Sequence, residues 1–370
     1  MKRIIINKLL SIQNDSHVQN IGLFTGNMGV CVALYLMGKK YNIPQAEAEA
    51  DKLLYYIQEH ISELTNIGFR DGLSGIGWAI CVLKKNNCIY GDLDDILYNI
   101  DAVIYKVLTK NTSDFEIDIN NGLIGYLMYI VARLEEHEHH SNSIQHTLLI
   151  AALKIIINKI FEYTFILFER LTKDREITLL LDFPVLLIYL KKARHLDVYS
   201  YKIDNIIQYW THLWRQRNAY YETNRLALGI SLALYEKDIN NGLINNCVGY
   251  LLSNIDFHRV EQEINFETNS IHKGWIYTLL LLHIGNRLPN INKKYQSQIS
   301  ILRESICDRC VKPFISYIKK TSPINISFIH GLSGIAVLLA LHPCIFGKYG
   351  REDSTQKEIE YLYGKRSHLR

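Results

Sequence analysis

Glycine-centred turns ahead of strongly apolar runs recur along the chain, and this recurrence constrains the fold more than any other feature of the 370 residues. Gly22, Gly26 and Gly29 precede the run Val30–Leu36. Gly72, Gly75 and Gly77 precede Trp78–Leu83, and Gly122 and Gly125 precede Tyr126–Val131. Gly229, Gly274 and Gly331 mark similar runs later on, while Leu181–Leu190 has the run with Pro184 at its predicted helix start instead of glycine. Gly22, Gly72 and Gly122 stand 50 residues apart, and later intervals are about 45 to 57. A repeat of this size holds two helices and two connections. Glycine suits turns with positive φ and places where backbones approach closely.

The apolar runs are hydrophobic nearly all round, as expected of helices buried on most sides. The segments between them are amphipathic. Ala46–Leu64 sets Leu53, Leu54, Ile57 and Ile61 against Glu47, Glu49, Asp51 and Glu59. Asp92–Leu108 and Ile144–Leu171 show the same helical spacing, and strict strand-type alternation is scarce. Buried helices alternating with amphipathic ones predict an all-α fold: an (α/α) toroid of about seven helical hairpins, with an inner ring of apolar helices and an outer ring of amphipathic ones. An open solenoid would need a polar terminal repeat. The last run, Ser327–Leu341, is among the most apolar, which favours closure. Residues 1–345 read as one domain and residues 346–370 as a polar C-terminal tail or last helix.

A net charge of +4, with no basic run longer than Lys39-Lys40, gives no footprint for nucleic acid. Seven scattered cysteines do not form a disulfide framework in a chain this long. Cys307 and Cys310 fall within a predicted helix over Tyr295–Lys319 and read as structural; Cys344, near His342, is a weaker candidate of the same kind. Met1–Leu10 lacks the apolar core of a signal peptide. No apolar stretch of spanning length is free of charged or amide residues, so stable membrane insertion is not expected and a cytoplasmic setting is.

The Gly-Leu-Ser-Gly-Ile turns at Gly72 and Gly331, with the count of seven, resemble the lanthionine synthetase C-like family over essentially the whole chain. That resemblance implies a toroid whose enzymes cyclise dehydrated precursor peptides. In them a zinc-activated peptide thiolate adds to a dehydroamino acid. It implies a zinc site of two Cys and one His, open at the fourth position. In one register of the turns, the Cys positions fall on Asn224 and Ile271, with the His on His272. In a second they fall on Asn269 and Ile329, with the His on His330. Neither register supplies a cysteine, so no metal ligands and no zinc cofactor are expected. The resemblance also places an acid/base carboxylate at Asp118, ahead of Gly122, and leaves the fourth-turn histidine without a counterpart. Asp118, His272 and His330 are therefore the candidate catalytic residues, each also readable as an ordinary turn or capping residue.

A closed toroid gathers its turns at one mouth. Arg70, Asp71, Asn121, Asn224, Arg225 and Asn269 are the candidate substrate-binding residues there. Such a concave polar surface suits an extended peptide. The expected role is binding a precursor peptide, or serving a peptide-maturation enzyme, without zinc chemistry. Two alternatives stay open. One is an active cyclase with an altered site. The other is a carbohydrate-active toroid using carboxylates such as Asp71, Asp118 and Asp182, which would need a separation of about 5 to 9.5 Å.

Overall fold

A computed structural model describes residues 1–12, 20–110, 115–136, 143–173, 178–216, 221–236, 241–264, 274–289, 291–321 and 324–347. Every described element is helical. Helix α1 (Lys2–Ile12) precedes the first turn. Inner and outer helices then alternate: α2 (Asn27–Tyr41) with α3 (Pro44–His60), α4 (Leu73–Lys85) with α5 (Leu93–Thr109), α6 (Leu123–Glu136) with α7 (Ile144–Lys173), and α8 (Thr178–His195) with α9 (Ser200–Gln216). Next come α10 (Glu222–Glu236) with α11 (Gly242–Ser253) and the short α12 (Phe257–Glu263). After them α13 (Trp275–Gly285) pairs with α14 (Lys293–Ile306), which runs through a π-helical turn at Cys307–Val311 into α15 (Lys312–Lys320). The last inner helix is α16 (Leu332–Leu341), and α1 packs on its outer side.

Inner and outer helices begin differently. Three outer helices carry side-chain caps: Asp92 accepts the Asp94 N–H, Asn241 those of Leu243 and Ile244, and Asn292 that of Lys294. These satisfy amides that a helix start leaves orphaned. The inner helices α2, α4 and α16 start instead from Gly26, Gly72 and Gly331, with no side-chain cap. Their caps come from loop carbonyls. Asn20, Asn66, Glu116 and Asn325 accept the N–H of Asn27 (2.9 Å), Leu73 (3.0 Å), Leu123 (2.9 Å) and Leu332 (3.0 Å).

These bonds correct the repeat register. Gly26, not Gly22, is equivalent to Gly72, Gly122 and Gly331, because a Cβ on each would strike the carbonyl that opens its own loop. The first interval is therefore Gly26 to Gly72, shorter than the 50 residues counted from Gly22. Positive φ is not the reason for these glycines. Gly26, Gly72 and Gly331 have φ of −113°, −124° and −140°, and only close approach excludes a side chain. Gly274, with φ +80°, is the inner-helix cap that does need glycine for its backbone. Two further expectations change. Gly229 lies well inside α10 and faces Leu251 and Leu252 of the outer layer, so it is a packing glycine. Pro184 lies inside α8, which starts at Thr178.

The turns are stitched to one another around the ring. Phe328 of the seventh turn donates its N–H to Phe24 of the first (2.8 Å), and Phe24 donates to Arg70 of the second (2.8 Å). Phe69 and Arg70 both donate to Asn120 of the third (2.6 and 2.9 Å). Ile119 then donates to the Asp182 carboxylate on α8 (3.1 Å). With α16 packed on α2, the seventh turn meets the first and the toroid is closed.

Layers are joined by apolar packing and by one buried polar network. In α7 the buried Leu149, Ala152, Leu153, Ile156, Ile157 and Ile160 form one stripe, against α5, α6 and α9. Ile144–Thr164 is long and apolar enough to cross a membrane by length and composition, and this stripe serves the layer contact. Asp101 of α5 and Arg133 of α6 are both fully buried and bond at 2.8 Å. Asp101 also accepts from Tyr129 and from Gln145 (2.5 Å), and Arg133 reaches Asp94 at 2.8 Å.

Candidate functional site

The rim residues come from the position just before each capping glycine: Thr25, Asp71, Asn121 and His330. Asp71 ties two turns together. Its Oδ1 accepts the Thr25 N–H (2.8 Å) and its Oδ2 accepts the Thr25 hydroxyl (2.9 Å), with Arg70 Nε 3.5 Å away. Gly22 makes room for it, since a Cβ there would overlap Asp71. Arg70, Asn121 and His330 are exposed at the rim. Asp118 is half-buried, and its Oδ1 accepts the Asn121 N–H (2.9 Å), which gives it a turn-capping role. Burial and the nearby Asp118 charge push the Tyr126 phenol up to about 12.

The structure thus gathers Arg70, Asp71, Asp118, Asn121 and His330 at one end. It does not do the same for the fifth turn. Asn224 is buried in the first turn of α10. Arg225 turns outward, bonding Glu222 (3.2 Å) and the Asn254 carbonyl between α11 and α12. The start of α10 is capped by Glu263 of α12, which accepts the N–H of Glu222 (3.0 Å) and Thr223 (2.9 Å). The sequence has no glycine at this turn, and a carboxylate from the outer layer caps the helix. His272 and Asn269 lie outside the described residues, as does most of the predicted tail 346–370.

Beneath the rim the lumen is aromatic. Trp78 of α4 donates its indole N–H to the Tyr189 hydroxyl of α8 (3.0 Å), so the bond spans two inner helices that have α6 between them. Phe69 packs edge-on against Trp78 (5.5 Å) and Phe24 (6.0 Å). Tyr277, near the start of α13, has a hydroxyl without a hydrogen-bond partner among the described residues. Burial, with Asp182 close by, raises its phenol well above the ordinary range. Tyr189 is raised by burial too, and both tyrosines keep some accessible surface. Thr25 and these aromatics were not singled out as mouth residues from the sequence, and Asp182 was named only for the carbohydrate alternative. One signal pointed at the loops: Asn20-Ile21, Asn66-Ile67 and Asn325-Ile326 open three of them.

The family's zinc ligands include two cysteines, and the cysteines of this chain lie elsewhere. All seven cysteines are free, and none lies in a mouth turn. Cys31 and Cys81 are buried within α2 and α4, and Cys247, Cys307 and Cys310 sit in the outer layer. Cys88 and Cys344 follow the far ends of α4 and α16. Ile329, the Cys position of the second register, is a buried apolar residue beside His330. The remaining described rim donors are one imidazole, amides, a hydroxyl and two carboxylates, Asp71 bonded to the first turn and Asp118 to Asn121 of its own turn. Among the described residues no three His, Cys, Asp or Glu side chains meet as a metal-binding group. Asp71, Asp118 and Asp182 each serve a turn, which gives the carbohydrate reading no free carboxylate pair to favour it.

Residues 17–176 match the family model described as lanthionine synthetase C-like protein. No curated protein matches the sequence. Among solved structures, nisin cyclase has the same fold, with a TM-score of 0.60 and 16% sequence identity, covering 92% of this chain and 93% of that one. The matched segment contains the first three stitched turns, and the shared fold carries the ring through the remaining four: over residues 17–176 the chain is similar to the lanthionine synthetase C-like family, and over its length it has the fold of nisin cyclase.

Proposed function

We propose that this protein acts in lanthipeptide-type peptide modification by holding a precursor peptide at the toroid mouth, without zinc-activated thiol addition of its own. The observation that carries this reading is the placement of all seven cysteines away from a mouth that keeps its polar rim. The rim offers amide, hydroxyl and guanidinium groups at Asn121, Thr25 and Arg70, suited to an extended backbone. The Trp78–Tyr189 pair and Tyr277 below it suit an apolar or aromatic side chain of that peptide. Nisin cyclase supports the peptide class through its name and its fold. A peptide-maturation enzyme is the natural second partner, since a chain that only presents a peptide must pass it on. Free thiols throughout are consistent with work in the reducing cytoplasm.

The test uses the purified full-length chain and a dehydrated, cysteine-containing lanthipeptide precursor labelled with a fluorophore. Anisotropy should show saturable binding. Trp78→Ala should weaken it by roughly tenfold, as loss of a buried aromatic anchor does. The peptide's thiols should stay fully alkylatable after incubation, and the protein should carry far less than one zinc per chain by elemental analysis. Stoichiometric zinc together with loss of alkylatable thiol would show an active cyclase and end this proposal.

A further inference from the structure

The end of the toroid opposite the mouth holds a cationic cluster that the peptide-binding reading does not use. After α16 the chain forms a short 3-10 turn, Pro343–Phe346, packed against α13 and α16. Four basic side chains from three places surround Cys344 at its start. His283 comes from the last turn of α13 and Arg287 follows that helix. Arg303 comes from α14, and His342 caps α16. Arg287 Nη2 donates to Cys344 Sγ at 3.9 Å, and the Arg303 guanidinium donates to the Cys344 carbonyl. The His283 and His342 rings stand 6.4 Å apart.

Two features mark this cluster as unfinished. His283 is only 6% exposed, yet its Nε2 has no hydrogen-bond partner among the described residues, and the buried Nε of Arg303 has none among them either. Polar groups left this way cost free energy that a partner would recover. Among the described residues the two guanidiniums also have no carboxylate partner. Burial, then Arg287, Arg303 and His342, all act to lower the His283 pKa, to about 4, and His342 is lowered by burial and Arg287. No carboxylate figures among these influences, unlike at Arg133, Arg194 and Arg309, which each pair with an acid.

We infer that Arg287, Arg303, His283 and His342 form a binding site for a tetrahedral oxyanion of the phosphate class. Two guanidinium forks and two imidazoles arriving from different elements suit an acceptor with several oxygens spread in three dimensions. A flat carboxylate would engage one fork and leave the rest unmatched. The anion supplies the missing opposite charge, accepts from the orphaned nitrogens and favours a proton on each imidazole.

Isothermal titration of the full-length chain with inorganic phosphate, and separately with O-phosphoserine, tests this at constant ionic strength set by chloride. Saturable binding of one phosphate per chain is expected. Tighter binding of phosphoserine assigns the site to a phosphorylated organic ligand, and equal or weaker binding assigns it to the free ion. Arg287→Gln should weaken binding by roughly tenfold, the worth of one charge-assisted hydrogen bond. Arg287→Lys, which keeps the charge without the fork, should fall between. The C2–H proton resonances of His283 and His342 should move downfield on adding phosphate near neutral pH. Absence of saturable binding at millimolar ligand, or equal affinity in the wild-type and Arg287→Gln chains, overturns the assignment. These outcomes are independent of peptide binding at the mouth.

Discussion

Buried charge governs what single residues contribute here. Asp101 and Arg133 are both inaccessible to solvent, and each is the other's main partner. Asp101→Ala leaves the buried Arg133 guanidinium with only the partly exposed Asp94 opposite it, which should cost about 3 kcal/mol. A urea midpoint shifted at unchanged slope would show it. Replacing both together by Leu and Met should cost much less, because the desolvation penalty disappears with the pair. His283 works in the opposite sense. Its folded pKa lies near 4, against an ordinary value of 6.5. Below the ordinary value the unfolded chain takes up a proton that the folded imidazole refuses. Stability from this group is therefore present above pH 6.5 and drains away as pH falls toward about 4. His283→Gln should flatten that part of the stability–pH curve by up to about 3 kcal/mol. An unchanged acid limb in the variant would contradict the assignment.

At the scale of elements, the inner-helix starts are the most demanding pieces of the chain. A Cβ on Gly75 would overlap the Phe69 carbonyl oxygen, which has no freedom to retreat because Phe69 is bonded to the next turn. Gly75→Ala should cost about 3 kcal/mol or more in thermal or chemical unfolding. Gly249 in outer α11 has nothing within 4 Å of its missing Cβ, and Gly249→Ala should stabilise by up to about 1 kcal/mol. The contrast explains which parts of the fold were legible in advance. Helical periodicity marked α3, α5 and α7 to within a few residues, because amphipathic spacing is a local property. Register was harder. Gly22 and Gly26 are both conspicuous, and only the carbonyl of Asn20 folding onto Asn27 tells which one caps the helix. Gly229 and Pro184 misled for the same reason: a glycine or proline shows in sequence, but its neighbour across the layer does not. Of the site, the rim positions Arg70, Asp71, Asp118, Asn121 and His330 were readable from their glycines. The outward turn of Arg225 depends on Glu222 and Asn254, and the lumen bond of Trp78 depends on Tyr189, more than a hundred residues away.

For the whole molecule, closure decides how it fails. In an open array each repeat touches only its neighbours, and removing the last one trims helicity in proportion. Here Phe328 is bonded to Phe24, and α16 lies against both α1 and α2. Deleting residues 321–370 should therefore abolish the single cooperative melt followed by circular dichroism, rather than shave one repeat from it. A shortened chain that still melts sharply with six-sevenths of the signal would refute closure as a stabilising device.

The links from Phe328 to Phe24, Phe24 to Arg70, and Phe69 and Arg70 to Asn120 are all made by peptide groups. Amino-acid replacement leaves such links in place. Side chains on the rim can therefore change without loosening the hoop that displays them. A ring held by its own backbone keeps its architecture while its opening varies, and here that architecture is recognisable at 16% identity.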